Sequence, residues 1–533
     1  MIDKVAQLWP EIALFVGACV VMVMGLSRDR TTRRQCGLIS AVALITAGFL
    51  AWYTTPVNQG PLPHMAMYAK LIVAAIGLLL LMLFEGGVDR DYESAVSRGS
   101  AFDPIRSNTG EFWAFALFSL TGVMLCAGAD DLIFLFLALE LTSLPTYVMV
   151  SLSTGRNRSM EAGVKYFFLG ALGAAIFLYG FTMIFGATGS TSFAEIHRML
   201  GTGPVSDLAM LGLLLSVLGV CFKIAAVPMH FYTPDVYQGA SSPVGAFLAF
   251  VPKAAGFFAI MSLLGLVGWR FGSNGESLPE MLRIVLWALA ALTMTVGNVL
   301  ALWQNSVKRI LAYSSIAHTG YMLVGVIAGP GTGESTLARN GLAAVLFYLA
   351  TYGIMTLGAF AVVACLERKS AEDGGEGVEE AEDVADLRGL CKRDPLLGWT
   401  MVISSVGLLG LPPLLGFFGK LPLFTAGIGA GELPLVLILG INSAIAAYYY
   451  LRLAGAALLS DPEVQGVAPR IVGHGSRRIA GVIAAIAVVV IAVTGAGSWL
   501  GKQAAAAGKY ERPSGTNETG RPGVSPEVAA TRH

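Results

Sequence analysis

Residues 220–228, VCFKIAAVP, and residues 411–422, LPPLLGFFGKLP, decide the fold. Each places a lysine, Lys223 or Lys420, beside proline within a run otherwise apolar enough to lie in a bilayer. Proline removes a backbone donor and displaces the carbonyl one turn earlier, so each stretch reads as a broken helix. Carbonyls freed at membrane depth must face protein or water, never lipid. A charge near the bilayer centre costs about 3 kcal/mol or more, so a lysine is seldom kept there without a use. For the single Pro145, a kink that improves packing is the plainer reading.

Two further ionisable groups lie in apolar runs: Glu140 in LELTSLPTYVMV (139–150) and Lys253 in VPKAAGF (251–257). One acid and three lysines on separate spans suggest a relay for a small cation, most simply a proton. Paired, Glu140 and Lys223 can stay charged and titrate as a unit. Lysine suits a charged–neutral switch because burial readily shifts it, whereas arginine stays protonated. None of the four positions is arginine. His230 in VPMHFYTPD (227–235) and His318 in SSIAHTGY (314–321) are candidates to bridge these groups, since imidazole passes a proton through either nitrogen.

Composition agrees. The 533 residues are 55% hydrophobic and 13% charged, with a mean hydropathy of +0.68, against about 25% charged residues in soluble domains. A net charge of zero argues against a nucleic-acid partner, which calls for a basic face. The six cysteines are scattered without a C-x-x-C pair, which argues against iron–sulfur or structural zinc sites. The first apolar run lacks a basic leader and is followed by Arg28, Arg30, Arg33 and Arg34, so it reads as a retained first span, not a signal peptide.

Apolar stretches of suitable length number about fourteen, including 207–228, 242–266, 309–328 and 396–427. Arginine and lysine concentrate in alternate loops, which predicts both termini on the periplasmic side of a bacterial plasma membrane. The expected class is an all-α polytopic membrane protein. Its predicted parts are three accessory helices (1–110), a first repeat (111–266), a second repeat (281–458) with an acidic loop (367–395), a final helix (479–500) and a disordered polar tail (501–533). Spans 4–8 and 9–13 make the two five-helix repeats, with the seventh and twelfth helices broken. An odd unit inverts the second copy, as in many transporters. The run Glu372, Asp373, Glu376, Glu379, Glu380, Glu382, Asp383 and Asp386 is expected to be a solvated, mobile loop in preference to a docking surface.

The strings LALELTSLPTYVMVSL (137–152), SMEAGVKYFFLGALGAAIFLYG (159–180), FKIAAVPMHFYTPDVYQGASSPVGAFLAFVPKAAGF (222–257) and SVKRILAYSSIAHTGYMLVGV (306–326) resemble the N subunits of bacterial NADH–quinone oxidoreductase, respiratory complex I. So do 386–424 and AAYYYLRL (446–453). VYQGASSPVGAF (236–247) favours that family over the related L and M subunits and the Mrp-type cation/proton antiporters, which remain the alternative.

The resemblance implies a membrane-arm subunit of a proton-translocating enzyme, with no cofactor of its own. FMN, iron–sulfur clusters, NADH and a quinone such as ubiquinone serve the complex. Implied partners are an antiporter-like M subunit, small subunits such as K and J, the lipid bilayer and protons. Glu140 matches the family's fifth-helix glutamate, Lys223 the lysine of the broken seventh helix, Lys253 that of the eighth and Lys420 that of the broken twelfth. His230 matches a histidine after the seventh helix. The acidic run and the long tail depart from the family pattern.

Overall fold

The computed structural model describes residues 7–53, 60–89, 92–93, 96, 98, 101–154, 156–272, 275–331, 335–369, 378–461, 469–472 and 475–511. Its principal helices are α1 (Trp9–Gly25), α2 (Cys36–Tyr53), α3 (Met65–Phe84), α4 (Thr109–Ala127), α5 (Leu132–Leu152), α6 (Asn157–Thr188), α7 (Asp207–Lys223) and α8 (Ser242–Val267). They continue with α9 (Glu280–Leu302), α10 (Val307–Ala328), α11 (Gly341–Val363), α12 (Pro395–Leu409), α13 (Leu415–Gly429), α14 (Leu433–Leu458), α15 (Gly475–Val493) and α16 (Ala496–Ala507). Among the described residues, eleven helices are long and apolar enough to cross a membrane, and α1, α12 and α13 are shorter apolar helices.

Polar residues just outside the apolar runs start these helices. Asp131 accepts from the Ile133 amide at 2.7 Å before α5, Asn340 from Ala343 at 2.9 Å before α11, and Asp394 from Leu397 at 3.3 Å before α12. Each satisfies a donor that has no partner within its helix. Every residue of α8 is buried, and nearly all of α10 and α11. By contrast α2 and α6 turn Phe49, Phe168, Leu172 and other large apolar side chains outward. The core therefore lies on α8, α10 and α11, and the outer helices present the apolar face that lipid requires.

The order of neighbours repeats. α4 packs on α5, α5 on α6, and α6 on α7, with α8 closing on α4 and α5. α9 packs on α10, α10 on α11, and α11 on α12 and α13, with α14 closing on α9 and α10.

Both expected breaks are present. α7 stops at Lys223, Ala225 takes a left-handed conformation (φ 56°), the Val227–Pro228 bond is cis, and a short helix resumes at Thr233–Gly239. The span 396–427, expected to be broken at its prolines, is two helices, α12 and α13. Gly410 turns left-handed (φ 87°) between them, ahead of a cis Pro412–Pro413 bond. The cause is local: consecutive prolines cannot donate within a helix, and glycine ends the first half without a Cβ penalty.

Two expectations need correction. Residues 378–388 of the acidic run are not a solvated loop. β1 (Leu366–Lys369) pairs antiparallel with β2 (Val378–Glu380) and with β3 (Arg470–Ile471), in the order β2-β1-β3. The following residues bond to the start of α10, Val307 N–H to Glu382 O at 2.6 Å and Val384 N–H to Asn305 O at 2.9 Å. Basic side chains near the acids explain the docking. The early acids Glu372, Asp373 and Glu376 lie outside the described residues. The tail, expected to be disordered from 501, is ordered through Glu511. Its alanine run completes α16, Asn340 donates to Gly508 O at 2.9 Å, and Glu511 N–H to Pro61 O at 3.1 Å. Residues 512–533 lie outside the described residues.

Candidate functional site

The first break assembles an ion pair. Lys223, at the end of α7, donates to Glu140 Oε1 of α5 at 3.0 Å and to Ser143 Oγ at 2.6 Å. The lysine side chain is 2% exposed and the glutamate 18%. The backbone groups freed by the break are met by side chains from elsewhere. Tyr232 donates to Phe222 O at 2.7 Å, Thr319 of α10 to Ile224 O at 2.6 Å, and Val227 N–H to Thr293 Oγ1 of α9 at 3.0 Å. An unpaired buried carbonyl would cost about 1–3 kcal/mol, so these bonds let the helix stay open.

Lys253 lies at the centre of α8 and has no carboxylate partner among the described residues. It donates to the carbonyl and to Oγ of Ser315 on α10, the latter at 2.7 Å, and faces the Tyr352 ring at 4.8 Å. Thr319 links this group back to the first break, since its hydroxyl lies 3.3 Å from the same Ser315 carbonyl.

His318 is fully buried. Its Nδ1 meets Tyr348 Oη at 2.6 Å, its Nε2 meets Tyr450 Oη at 2.9 Å, and its ring lies 4.9 Å from the Tyr352 ring. Tyr321 lies 5.4 Å from the imidazole on another side and offers its face to Lys420 Nζ at 5.1 Å. Lys420 donates to Leu409 O at 2.8 Å, one of the carbonyls left without a helical partner at the end of α12. Polar and aromatic contacts therefore run from Thr319 through Ser315, Lys253, Tyr352, His318 and Tyr321 to Lys420, and the Glu140–Lys223 pair adjoins this row through the Ile224 carbonyl next to Lys223.

His230 stands apart. It is buried in the turn after Pro228 against Phe231, and no hydrogen bond joins it to the other five candidates among the described residues.

Sequence reasoning missed several members. Ser143, Tyr321 and Tyr352 carry no charge and do not stand out, although Ser143 lies three residues after Glu140, while Ser315 and Thr319 are legible only as polar company for His318. A second buried ion pair was also missed, Glu11 of α1 with Lys70 of α3 at 2.9 Å. Lys70 inside MAMYAKLIVAAIG (65–77) shows the same anomaly as Lys253 and was legible on that ground.

At the end of the bundle where α8 and α10 begin, a cavity of about 440 Å³ is lined by Arg156, Arg158, Lys308, Arg368, Glu379 and Glu380, among others. Lys308 pairs with Glu380 at 2.6 Å, Arg156 with Glu379 at 3.3 Å, and Arg368 with Glu379 at 2.8 Å and Asp383 at 3.1 Å. Burial pushes the Glu380 carboxyl up, but the Lys308 ammonium and the Ser242 donors outweigh it and hold it below its ordinary value. Among the described residues, no group of three or more His, Cys, Asp or Glu is placed to hold a metal ion.

A many-helix apolar bundle with two interrupted helices, each end meeting a buried lysine, defines the antiporter-like class of membrane proteins. The family model described as NADH:quinone oxidoreductase/Mrp antiporter, TM, matches residues 129–446. NADH-quinone oxidoreductase subunit N of Trichlorobacter lovleyi is 37% identical over 83% of this chain and 85% of its own. The subunit N of Myxococcus xanthus is 35% identical over 91% and 94%. A chain of respiratory complex I from Thermus thermophilus, solved with bound aureothin, superposes with a TM-score of 0.73 at 31% identity, covering 93% of this chain and 99% of that one. The Mrp complex of Dietzia sp. shares the fold at 20% identity and a TM-score of 0.73. The chain belongs to the NADH-quinone oxidoreductase subunit N family.

Proposed function

We propose that this chain is a membrane-arm subunit of a bacterial NADH–quinone oxidoreductase and moves protons across the plasma membrane as NADH is oxidised. The observation that carries the reading is the row of buried ionisable groups linked by hydroxyl and aromatic contacts, from Glu140–Lys223 through Lys253 and His318 to Lys420. A proton entering on the side of Lys223 is taken up by the Glu140 carboxylate, whose change of charge gates the path by freeing the Lys223 ammonium to release its own proton. That proton then passes through Lys253 and His318, and Lys420 receives it at the second break. His230 borders the entry side of the first break. The redox chemistry itself belongs to flavin, iron–sulfur clusters and quinone elsewhere in the complex, with the M, K and J subunits as neighbours.

The chain crosses the membrane fourteen times in this reading. α7 with the helix 233–239 makes one crossing and α12 with α13 another, and both termini face the periplasm. The repeated order of helix contacts supports two five-helix units, inverted because five is odd. The Mrp-type alternative draws on the shared family model and on fold likeness, and the subunit N relatives favour the main reading over it.

NADH-driven proton uptake and NADH oxidation in inverted membrane vesicles test the reading. Lys223→Ala and Lys420→Ala should each lose most of the uptake. Normal uptake in both variants would overturn the relay.

A further inference from the structure

Glu380 lies in β2, outside the helices that carry the relay residues. Its carboxylate nevertheless joins the two helices that hold Lys253. Oε1 and Oε2 accept from the Ser242 amide at 3.0 and 2.9 Å, and Oε2 also accepts from Ser242 Oγ at 2.7 Å, at the first residue of α8. Oε2 pairs at 2.6 Å with Lys308, the second residue of α10. Lys308 in turn donates to Ala240 O at 3.0 Å, just ahead of α8. A carboxylate at a helix start satisfies orphan amides and complements the helix dipole.

The same two helices meet again in mid-bundle, where Lys253 donates to the carbonyl and hydroxyl of Ser315. Lys253 is eleven residues beyond Ser242 and Ser315 seven beyond Lys308. At about 1.5 Å per residue those separations are roughly 16 Å and 10 Å along straight helices. Up to Pro252, which precedes Lys253 and removes one helical bond, α8 carries a shift of its start along its length, so sliding α8 against α10 at the Glu380 tie changes the Lys253–Ser315 contact.

The backbone keeps Glu380 in place. β1 pairs Glu367 with Glu380, and the bonds from Val307 and Val384 hold the next residues to the start of α10. Lys308 is only 4% exposed and its second carboxylate, Glu382, is farther at 3.4 Å, so losing Glu380 would cost the buried ammonium its closer partner.

We propose that Glu380 is a positioning residue for proton transfer: by clamping the start of α8 to the start of α10 it sets the register in which Lys253 meets Ser315. This rests on Lys253 belonging to the relay, and the test separates the two claims. Protons taken up per NADH oxidised are measured in inverted vesicles matched for assembled complex, with wild type, Glu380→Ala, Glu380→Gln, Lys253→Met and Ser242→Ala. A defect of folding alone lowers the amount of complex and leaves the ratio unchanged.

Glu380→Ala should lower the ratio about threefold, the scale of coupling lost when a connecting residue is removed. Glu380→Gln, which can still accept from Ser242, should restore part of it, and Ser242→Ala should lower it less than Glu380→Ala. If Glu380→Ala assembles and keeps the wild-type ratio while Lys253→Met loses it, the clamp is refuted and the relay stands. If Lys253→Met keeps the ratio, the relay through Lys253 fails and the clamp loses its object. If Glu380→Ala does not assemble, Glu380→Gln decides: a wild-type ratio there together with a wild-type ratio in Ser242→Ala overturns the proposal.

Discussion

The two broken helices solve one problem with different parts. At the first, the lysine finds a carboxylate, Glu140 at 3.0 Å, and the freed carbonyls are met by Tyr232 and Thr319. At the second, the lysine is itself the cap: Lys420 donates to Leu409 O at 2.8 Å, with the Tyr321 face as its other close neighbour. A carbonyl accepts from an ammonium or an amine alike, so Lys420 can change charge and keep its bond. Lys223 cannot do so without leaving Glu140 unpaired. In the first break holding the helix open and holding the charge are separate tasks; in the second one side chain does both.

The largest expected effect follows from the ion pair. Lys223→Ala should cut NADH-driven proton uptake about tenfold or more, as for a positioned proton-transfer group removed. Uptake near wild type in assembled complex would remove the first break from the relay. Arginine probes the contrast next. Lys223→Arg keeps a cation beside Glu140, whereas Lys420→Arg places a permanent charge where the proposed relay calls for a switch. Uptake should fall about tenfold in both, because transfer needs a group able to release its proton. Thermal stability of the assembled complex should fall less in Lys223→Arg, where the ion pair survives, than in Lys420→Arg, and equal stability losses would break the comparison.

The sequence announced charges better than it announced partners. Glu140, Lys223, Lys253 and Lys420 stand out because an ionisable group in an apolar run is costly, and cost is visible in composition. Ser315 and Thr319 are not, because hydroxyls are common in membrane helices and their use depends on which helix faces them. The breaks were legible from proline, but the division of span 396–427 into α12 and α13 needed the positive φ of Gly410. The acidic segment was misread for a related reason. Glutamates in a row suggest water until Lys308, Arg156 and Arg368, supplied by distant parts of the chain, are seen beside them. The tail was misread because a short alanine run is a marginal helix alone and becomes one when Asn340 and the α11 surface receive it.

A smaller effect tests the separation of tasks. Thr319→Val removes the donor to Ile224 O but no charge, and should destabilise the protein by about 1–3 kcal/mol, the cost of an unpaired buried carbonyl. Thermal unfolding of the purified complex measures this. Uptake per NADH should fall, since the Thr319 hydroxyl joins the first break to Ser315, but by less than in Lys223→Ala, which removes the ionisable group itself. At the second break no such substitution exists, because the cap there is Lys420. If Thr319→Val abolished uptake while leaving stability intact, capping and transfer would be one function at both breaks.

The smallest expected effect concerns how the two regions are anchored at the same end of the bundle. α12 begins on its own Asp394, while α8 begins on Glu380, brought in from β2. The Glu380 carboxyl is held below its ordinary value of 4.5, so folding favours its ionised form. The unfolded chain then binds more protons than the folded one over the interval between the two values. The stabilisation is therefore fully present above about pH 4.5 and is lost as pH falls through the lower, folded value. Hydrogen exchange at the Val307 and Val384 amides, both bonded across the segment, should quicken relative to intrinsic rates on acidification through that interval. In Glu380→Gln the acid step should disappear, because the amide does not titrate. An acid step of the same size in that variant would assign it to other carboxylates of the segment and leave the start of α8 no more acid-sensitive than that of α12.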